Sequence, residues 1–199
     1  MKRLMGTILI CLLLSPCLCE AETFDEYLKK MGEDEQSQLI PKGSELIPKD
    51  VIIQELTKPQ PTGQVASIVF SSEAILFDYG SWRIRESSFR QLMEIASALK
   101  DSQLANIPVF YVDGHTCSIG TEENNCRLSW RRADSVVRFL VDVGQVPSGK
   151  LVPRGFGKCC PITSNESENG RMMNRRVVLK SGAVMVPKDQ SSQCPGSYR

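Results

Sequence analysis

The sequence predicts an α+β fold over residues 65–182, with two helices covering one face of a β-sheet. Three observations predict it. Short runs of β-forming residues are interleaved with two longer stretches of helical period, and glycine or proline punctuates most of the junctions. The resulting order is strand, helix, strand, helix, strand, strand, which suits a sandwich of two layers around one core.

Each element has its own signal. "ASIVF" and "AILF", starting at Ala66 and Ala74, read as strands. In "FRQLMEIASAL", Phe89, Leu92, Met93, Ala96 and Leu99 fall on one helical face. "IPVFYVDG" is a run of β-formers that stops at Gly114. Thr121 followed by Glu122 and Glu123 opens the second helix, because acids in a first turn suit the helix dipole. Its apolar face is Leu128, Ala133, Val136, Val137 and Leu140, and Gly144 with Pro147 ends it. "KLVPRGFG" and "RRVVLK" complete the strands, and residues 183–199 read as a flexible tail.

The N-terminus has the order of an export signal over residues 1–21. Lys2 and Arg3 precede an apolar run at residues 4–14, then Ser15 and Pro16, with Cys19 and Ala21 at the small-residue positions of a cleavage site. Lipidation at Cys17 or Cys19 is the runner-up, disfavoured by the preceding Pro16 and Leu18. The run is shorter than the roughly 20 residues that span a bilayer. Residues 22–64 read as an extended acidic spacer, with nine acids against five lysines. Within them Leu39-Ile40-Pro41-Lys42 recurs as Leu46-Ile47-Pro48-Lys49, a candidate docking motif for outer-membrane or envelope proteins.

Charge and cysteines narrow the chemistry. Without Lys2, Arg3 and Glu20, 24 basic and 23 acidic residues become 22 of each, a balance that argues against nucleic acid as a partner. The second half is locally basic, with eleven Lys and Arg against six Asp and Glu over residues 117–181, and suits an anionic ligand. Five cysteines lie beyond residue 21: Cys117, Cys126, Cys159, Cys160 and Cys194. In an oxidising compartment they point to disulfides, and the odd number leaves one over. A zinc site of His115, Cys117, Cys126 and Cys159 or Cys160 fits no familiar ligand spacing. His115 beside Cys117 lacks a third, orienting group, so no enzyme and no cofactor is expected.

The strings "LFDYG", "VDGHT", "NCRLSWRRADSV", "RGFG" with Pro161, Ser164-Asn165, Asn169-Gly170 and "RMMNRRVVL" occur in one order over about 100 residues. In these the chain, from about Ala74 to Lys180, resembles the OmpA C-terminal-like domain. That family is a periplasmic module that binds peptidoglycan in outer-membrane proteins, peptidoglycan-associated lipoproteins and flagellar motor stators of Gram-negative envelopes. The resemblance implies a mixed sheet and a non-catalytic ligand site for the stem peptide, whose diaminopimelate ends in a carboxylate and an ammonium. The family meets the ammonium with an aspartate directly after Gly-His-Thr and the carboxylate with an arginine fifteen residues on. By this resemblance Arg132 takes the carboxylate and Arg175 stands at the pocket edge, with Thr116, Tyr79 and Gly80 completing the ligand set. The aspartate position holds Cys117, and a frequent family asparagine is Gly80. Such a chain has two possible fates: weakened or altered peptidoglycan binding, or a structural envelope subunit that has lost it. At the end of a strand, a Cys117 side chain pointing into the pocket mouth reaches the loop that leads into Pro161, which predicts a disulfide from Cys117 to that loop, Cys160 before Cys159, with Cys126 as the rival partner. The expected location is the periplasm, in association with peptidoglycan or the outer membrane.

Overall fold

A computed structural model describes residues 46–61, 64–182 and Cys194. The signal over residues 1–21, the first part of the spacer and the first LIPK copy lie outside the described residues, as does the tail apart from Cys194. Helix α1 is Lys49–Thr57, β1 Ser67–Ser71, α2 Phe89–Leu99, β2 Val109–Gly114, α3 Glu122–Asp142, β3 Leu151–Gly155, α4 Glu168–Asn174 and β4 Arg176–Gly182. The sheet runs β1-β4-β2-β3, with β4 antiparallel to both β1 and β2 and with β2 parallel to β3. It is mixed, and α1, α2 and α3 contribute the helical half of one core that takes in Phe70, Phe110, Val112, Val177 and Leu179.

Three expectations about the elements are corrected. The spacer is not extended throughout, because α1 sits in it and buries Ile52, Ile53 and Leu56 in the core. Pro48 stands just before the first turn, where a proline has no helical hydrogen bond to lose, so it starts this helix rather than breaking it. The second LIPK copy is engaged within its own chain. Gln91 brackets Ile47, accepting from its N–H at 2.8 Å and donating to its carbonyl at 3.0 Å, while Lys49 pairs with Asp101 at 2.9 Å. "AILF" is no strand but a turn closed by one bridge between Phe77 and Ile84. Finally, α4 separates the last two strands: Ser167 accepts from Gly170 N–H, and Gly170 has no Cβ to meet Ser164 O, which lies where one would stand. The pair Asn169-Gly170 is therefore helical, its glycine required for a close approach rather than for a turn.

Both long helices keep their expected faces. Thr121 caps α3 by accepting from Asn124 N–H. Ala133, Val136 and Leu140 are buried as the periodicity requires, together with Phe139, whereas Leu128 is only half-buried.

The other face of the sheet alternates out of phase and carries charge. Asp113 is 0% exposed, yet it lies on this face. Arg154, its neighbour across β3, grips both carboxylate oxygens at 2.6 and 2.8 Å, and Lys180 adds a contact at 3.0 Å. The guanidinium lies 4.0 Å over the Tyr111 ring, so aromatic and aliphatic surface excludes water from the carboxylate. Beyond β2, His115 stacks on Phe156 at 5.1 Å with its Nδ1 buried and unpaired. Burial, with the charge of Arg176 added, holds this histidine at a pKa of about 3.

Two outcomes test this layer. Asp113→Ala strands Arg154 and Lys180 and should cost about 3–5 kcal/mol in chemical denaturation, whereas Asp134→Ala, which frees the exposed Arg138, should cost about 1 kcal/mol or less. Equal costs would show that the Asp113 cluster contributes no more than a surface pair. The folded pKa of His115 lies below its ordinary value of 6.5, so its contribution is complete above that value and is lost as pH falls towards the folded value. Between about pH 6.5 and pH 5, wild-type stability should fall more steeply than that of His115→Gln, the difference in slope approaching about 1.4 kcal/mol per pH unit at the acid end. Parallel curves would mean that the folded histidine takes up its proton freely.

Candidate ligand-binding site

The site begins with two glycines. Gly114 and Gly155 are register partners at the ends of β2 and β3, and α3 comes down on both through Ser129. A Cβ on Gly114 would run into Ser129 O, and one on Gly155 would stand 2.8 Å from Trp130 N and 2.9 Å from Ser129 Oγ. The buried Ser129 hydroxyl donates to Cys126 O and accepts from Gly157 N–H at 2.8 Å, which fixes the height of the helix. Arg132 lies three residues further along α3, and Thr116 and Cys117 lie just beyond Gly114. The helix and the loop after β2 therefore face each other across a gap.

That gap is a cavity of about 520 Å³. Its walls are the segment after β1, the loop after β2, α3, α4 and the first residues of β4. All six residues expected at a ligand site line it: Tyr79, Gly80, Thr116, Cys117, Arg132 and Arg175. The loop from Cys117 to Gly120 is held by amides: Asn165 accepts from Ser118 N–H at 3.1 Å, and Asn125 donates to Ile119 O and Thr121 O.

Arg132 is the charged centre. Its Nε donates to Ser81 O at 2.9 Å and its guanidinium lies 4.9 Å from the Phe77 ring centre. No carboxylate among the described residues pairs with it. Burial, reinforced by the charge of Arg175, pulls its pKa down to about 10. A lowered arginine is a desolvated cation short of negative charge, and a bound anion would relieve that. Arg175 is different, since it already gives a 2.8 Å bond to Glu168, which also takes Arg171 at 2.9 Å. These two arginines hold the Glu168 carboxyl below its usual range. Phe77, the Ser81 carbonyl and Glu168 were not singled out in the sequence. Glu168 carried a readable signal, standing three residues before Arg171 in a helix.

The expected disulfide is overturned. Cys117 is a buried thiol outside any bridge, and its sulfur lies 3.9 Å from Arg175 Nη1. Cys126 pairs instead with Cys194, at a Cα separation of 5.4 Å, so the tail is tied back at that residue. Cys194 N–H also donates to Gly155 O at 2.9 Å. The pairing follows from the path of α3: Cys126 is in its second turn, beside Gly157, on the far side of the helix start from the cavity. Closing a loop of this length contributes about 4 kcal/mol in the chain-entropy account.

Gly80 has φ +63 with open space around it. That is the left-handed region, which asparagine tolerates best among residues with a side chain, so glycine in place of asparagine keeps the turn and removes an amide. Tyr79 beside it is 98% exposed, a ring standing free at the rim. Among the described residues no cluster of His, Cys, Asp and Glu is arranged to hold a metal ion, and no helix is long and apolar enough to cross a membrane.

The sequence model of the OmpA family matches residues 76–175, the segment that carries most of the cavity lining, including all six expected site residues. Outer membrane protein A of Bordetella avium is 34% identical over 130 residues, 65% of this chain and 64% of that protein. The putative lipoprotein YfiB of Escherichia coli K12 is 35% identical over 108 residues, 54% of this chain and 66% of the lipoprotein. Outer membrane porin F of Pseudomonas aeruginosa is 33% identical over 113 residues, 57% of this chain but 31% of the porin. The match thus spans from about a third to two-thirds of these relatives' lengths. Among solved structures, the periplasmic domain of Helicobacter pylori MotB superposes with a TM-score of 0.55 at 21% identity, covering 66% of this chain and 83% of that one, a likeness of fold. The cell wall anchor of the type VI secretion system (T6SS) from Pseudomonas aeruginosa superposes with a TM-score of 0.50 at 27% identity, covering 60% and 82%. With half of its length under the family model and the family's fold around its cavity, the chain belongs to the OmpA family.

Proposed function

We propose that this protein is a non-catalytic peptidoglycan-binding module of the periplasm that attaches an envelope component to the cell wall. The ligand is a stem peptide, and Arg132 takes its carboxylate. The observation that carries this reading is Arg132 itself: a desolvated guanidinium facing a cavity, with its Nε anchored and no carboxylate partner among the described residues. A guanidinium offers a carboxylate two parallel donors, the geometry that makes such pairs strong. The solved relative described as a cell wall anchor and the named outer-membrane relatives support the same setting.

Cys117 alters the recognition. A thiol stands where the family's aspartate would meet an ammonium, so binding rests on the anionic end of the ligand. The loss of one member of a desolvated charge pair commonly costs about 2–5 kcal/mol. On this reading affinity is reduced, and the arginine end carries most of what is left.

Pull-down of the mature chain with purified sacculi tests the proposal. Arg132→Ala should reduce binding by about 30-fold or more, about 2 kcal/mol, while Arg138→Ala on the exposed face of α3 leaves it unchanged and both keep the native circular dichroism. Wild-type protein that stays entirely in the supernatant would favour a structural envelope subunit instead. Cys117→Asp should strengthen binding on the order of tenfold, about 1.4 kcal/mol. No gain from that substitution would place the ammonium elsewhere in the cavity.

A further inference from the structure

The segment after β3 brings Cys159 and Cys160 together in an unusual way. Cys159 N–H donates to Phe156 O, and Cys160 then takes φ +60, a left-handed conformation rare for a residue with a side chain. Such a conformation is costly and persists where the surroundings over-determine it. Here Arg176 Nη2 donates to Cys160 O at 3.0 Å while its Nη1 holds Asn174 O at 3.2 Å. The two side chains are not splayed: their sulfurs stand 2.6 Å apart. That is only about 0.6 Å beyond a disulfide bond and well inside the separation of unbonded sulfurs.

We propose that Cys159 and Cys160 form a redox site, closing to a vicinal disulfide in an eight-membered ring when they meet a disulfide-bearing oxidant. Cys160 is exposed and Cys159 is half-buried, so Cys160 is the sulfur an oxidant meets first. Burial and the neighbouring sulfur push the Cys159 thiol up to about 12, in keeping with that order. The Cys160 thiolate attacks the oxidant's disulfide, forming a mixed disulfide and releasing one thiol. Cys159, losing its proton, then attacks the Cys160 sulfur and displaces the second thiol. Two protons and two electrons leave the pair, and one disulfide of the oxidant becomes two thiols.

Cysteine parity supports the assignment. Beyond residue 21 there are five cysteines. Cys126 and Cys194 account for two and the vicinal pair for two more, leaving Cys117 as the thiol in the cavity. The ring would also lock the Cys160 carbonyl that holds Arg176, a residue of the cavity wall, so the two sites adjoin.

Peptide mapping tests the proposal without reference to cell-wall binding. The full exported chain is purified without reductant, its thiols are alkylated under acid-quenched, unfolding conditions, and it is digested. The peptide carrying Cys159 and Cys160 should be unalkylated and about 2 Da lighter than its reduced form, and Cys117 should carry one alkyl group. Cys117→Ser should leave that mass loss intact. Two alkyl groups on the peptide, or a bridge from either cysteine to Cys117 or Cys194, would overturn the assignment.

Discussion

The approach of α3 to the sheet at Gly114 and Gly155 is the constraint on which the rest of the molecule depends. Backbone meets backbone there, with the Ser129 carbonyl occupying the place a Gly114 Cβ would need, and any larger residue would lift the helix. Because the glycines are register partners, one helical turn is seated on both parallel strands at once. The candidate site residues inherit that position, Arg132 through the helix and Thr116 with Cys117 through the loop that leaves β2. Recognition of a small ligand needs groups held to within a fraction of an ångström, and a backbone seat achieves this better than side-chain packing alone.

The molecule treats its buried charges in two opposite ways. On the open face Asp113 meets Arg154 and Lys180, aromatic rings close over them, and the cluster is satisfied internally. In the cavity Arg132 is desolvated, has a carbonyl rather than a carboxylate for a partner, and stays short of negative charge. The first arrangement stabilises the fold. The second costs stability unless an anion arrives, and a residue that costs stability in the free protein is what a binding site requires. Exposure alone does not separate these clusters, since both lie beside the same strand ends; the pairing of charge does.

Much of this was legible in the sequence. Helical period marked the two long helices, runs of β-forming residues marked the four strands of the sheet and also "AILF", which is a turn, and the strings around Gly114, Arg132 and Arg175 placed the cavity residues together because they belong to a family pattern. The features that were not legible involve residues whose meaning depends on a distant neighbour. Helix α1 spans two turns between prolines, too short for its period to stand out, and it exists because Ile52, Ile53 and Leu56 find a core supplied by α2. Gly170 reads as a turn residue until Ser164 O is seen where its Cβ would be. The disulfide was misassigned because spacing says nothing about which side of a helix start a cysteine faces, and Cys126 faces away from the cavity, towards Cys194.

Cys117 and Gly80 are best understood together. Both lie on the cavity wall, at positions where the resemblance implies an aspartate and an asparagine. Gly80 keeps the left-handed turn. Cys117 keeps its place beside Arg175, which now has a sulfur at 3.9 Å and relies on Glu168 for its ion pair. Arg132 is anchored on the Ser81 carbonyl. A cavity that pairs Arg175 with Glu168 and leaves Arg132 on a carbonyl therefore directs its uncompensated positive charge at an incoming anion.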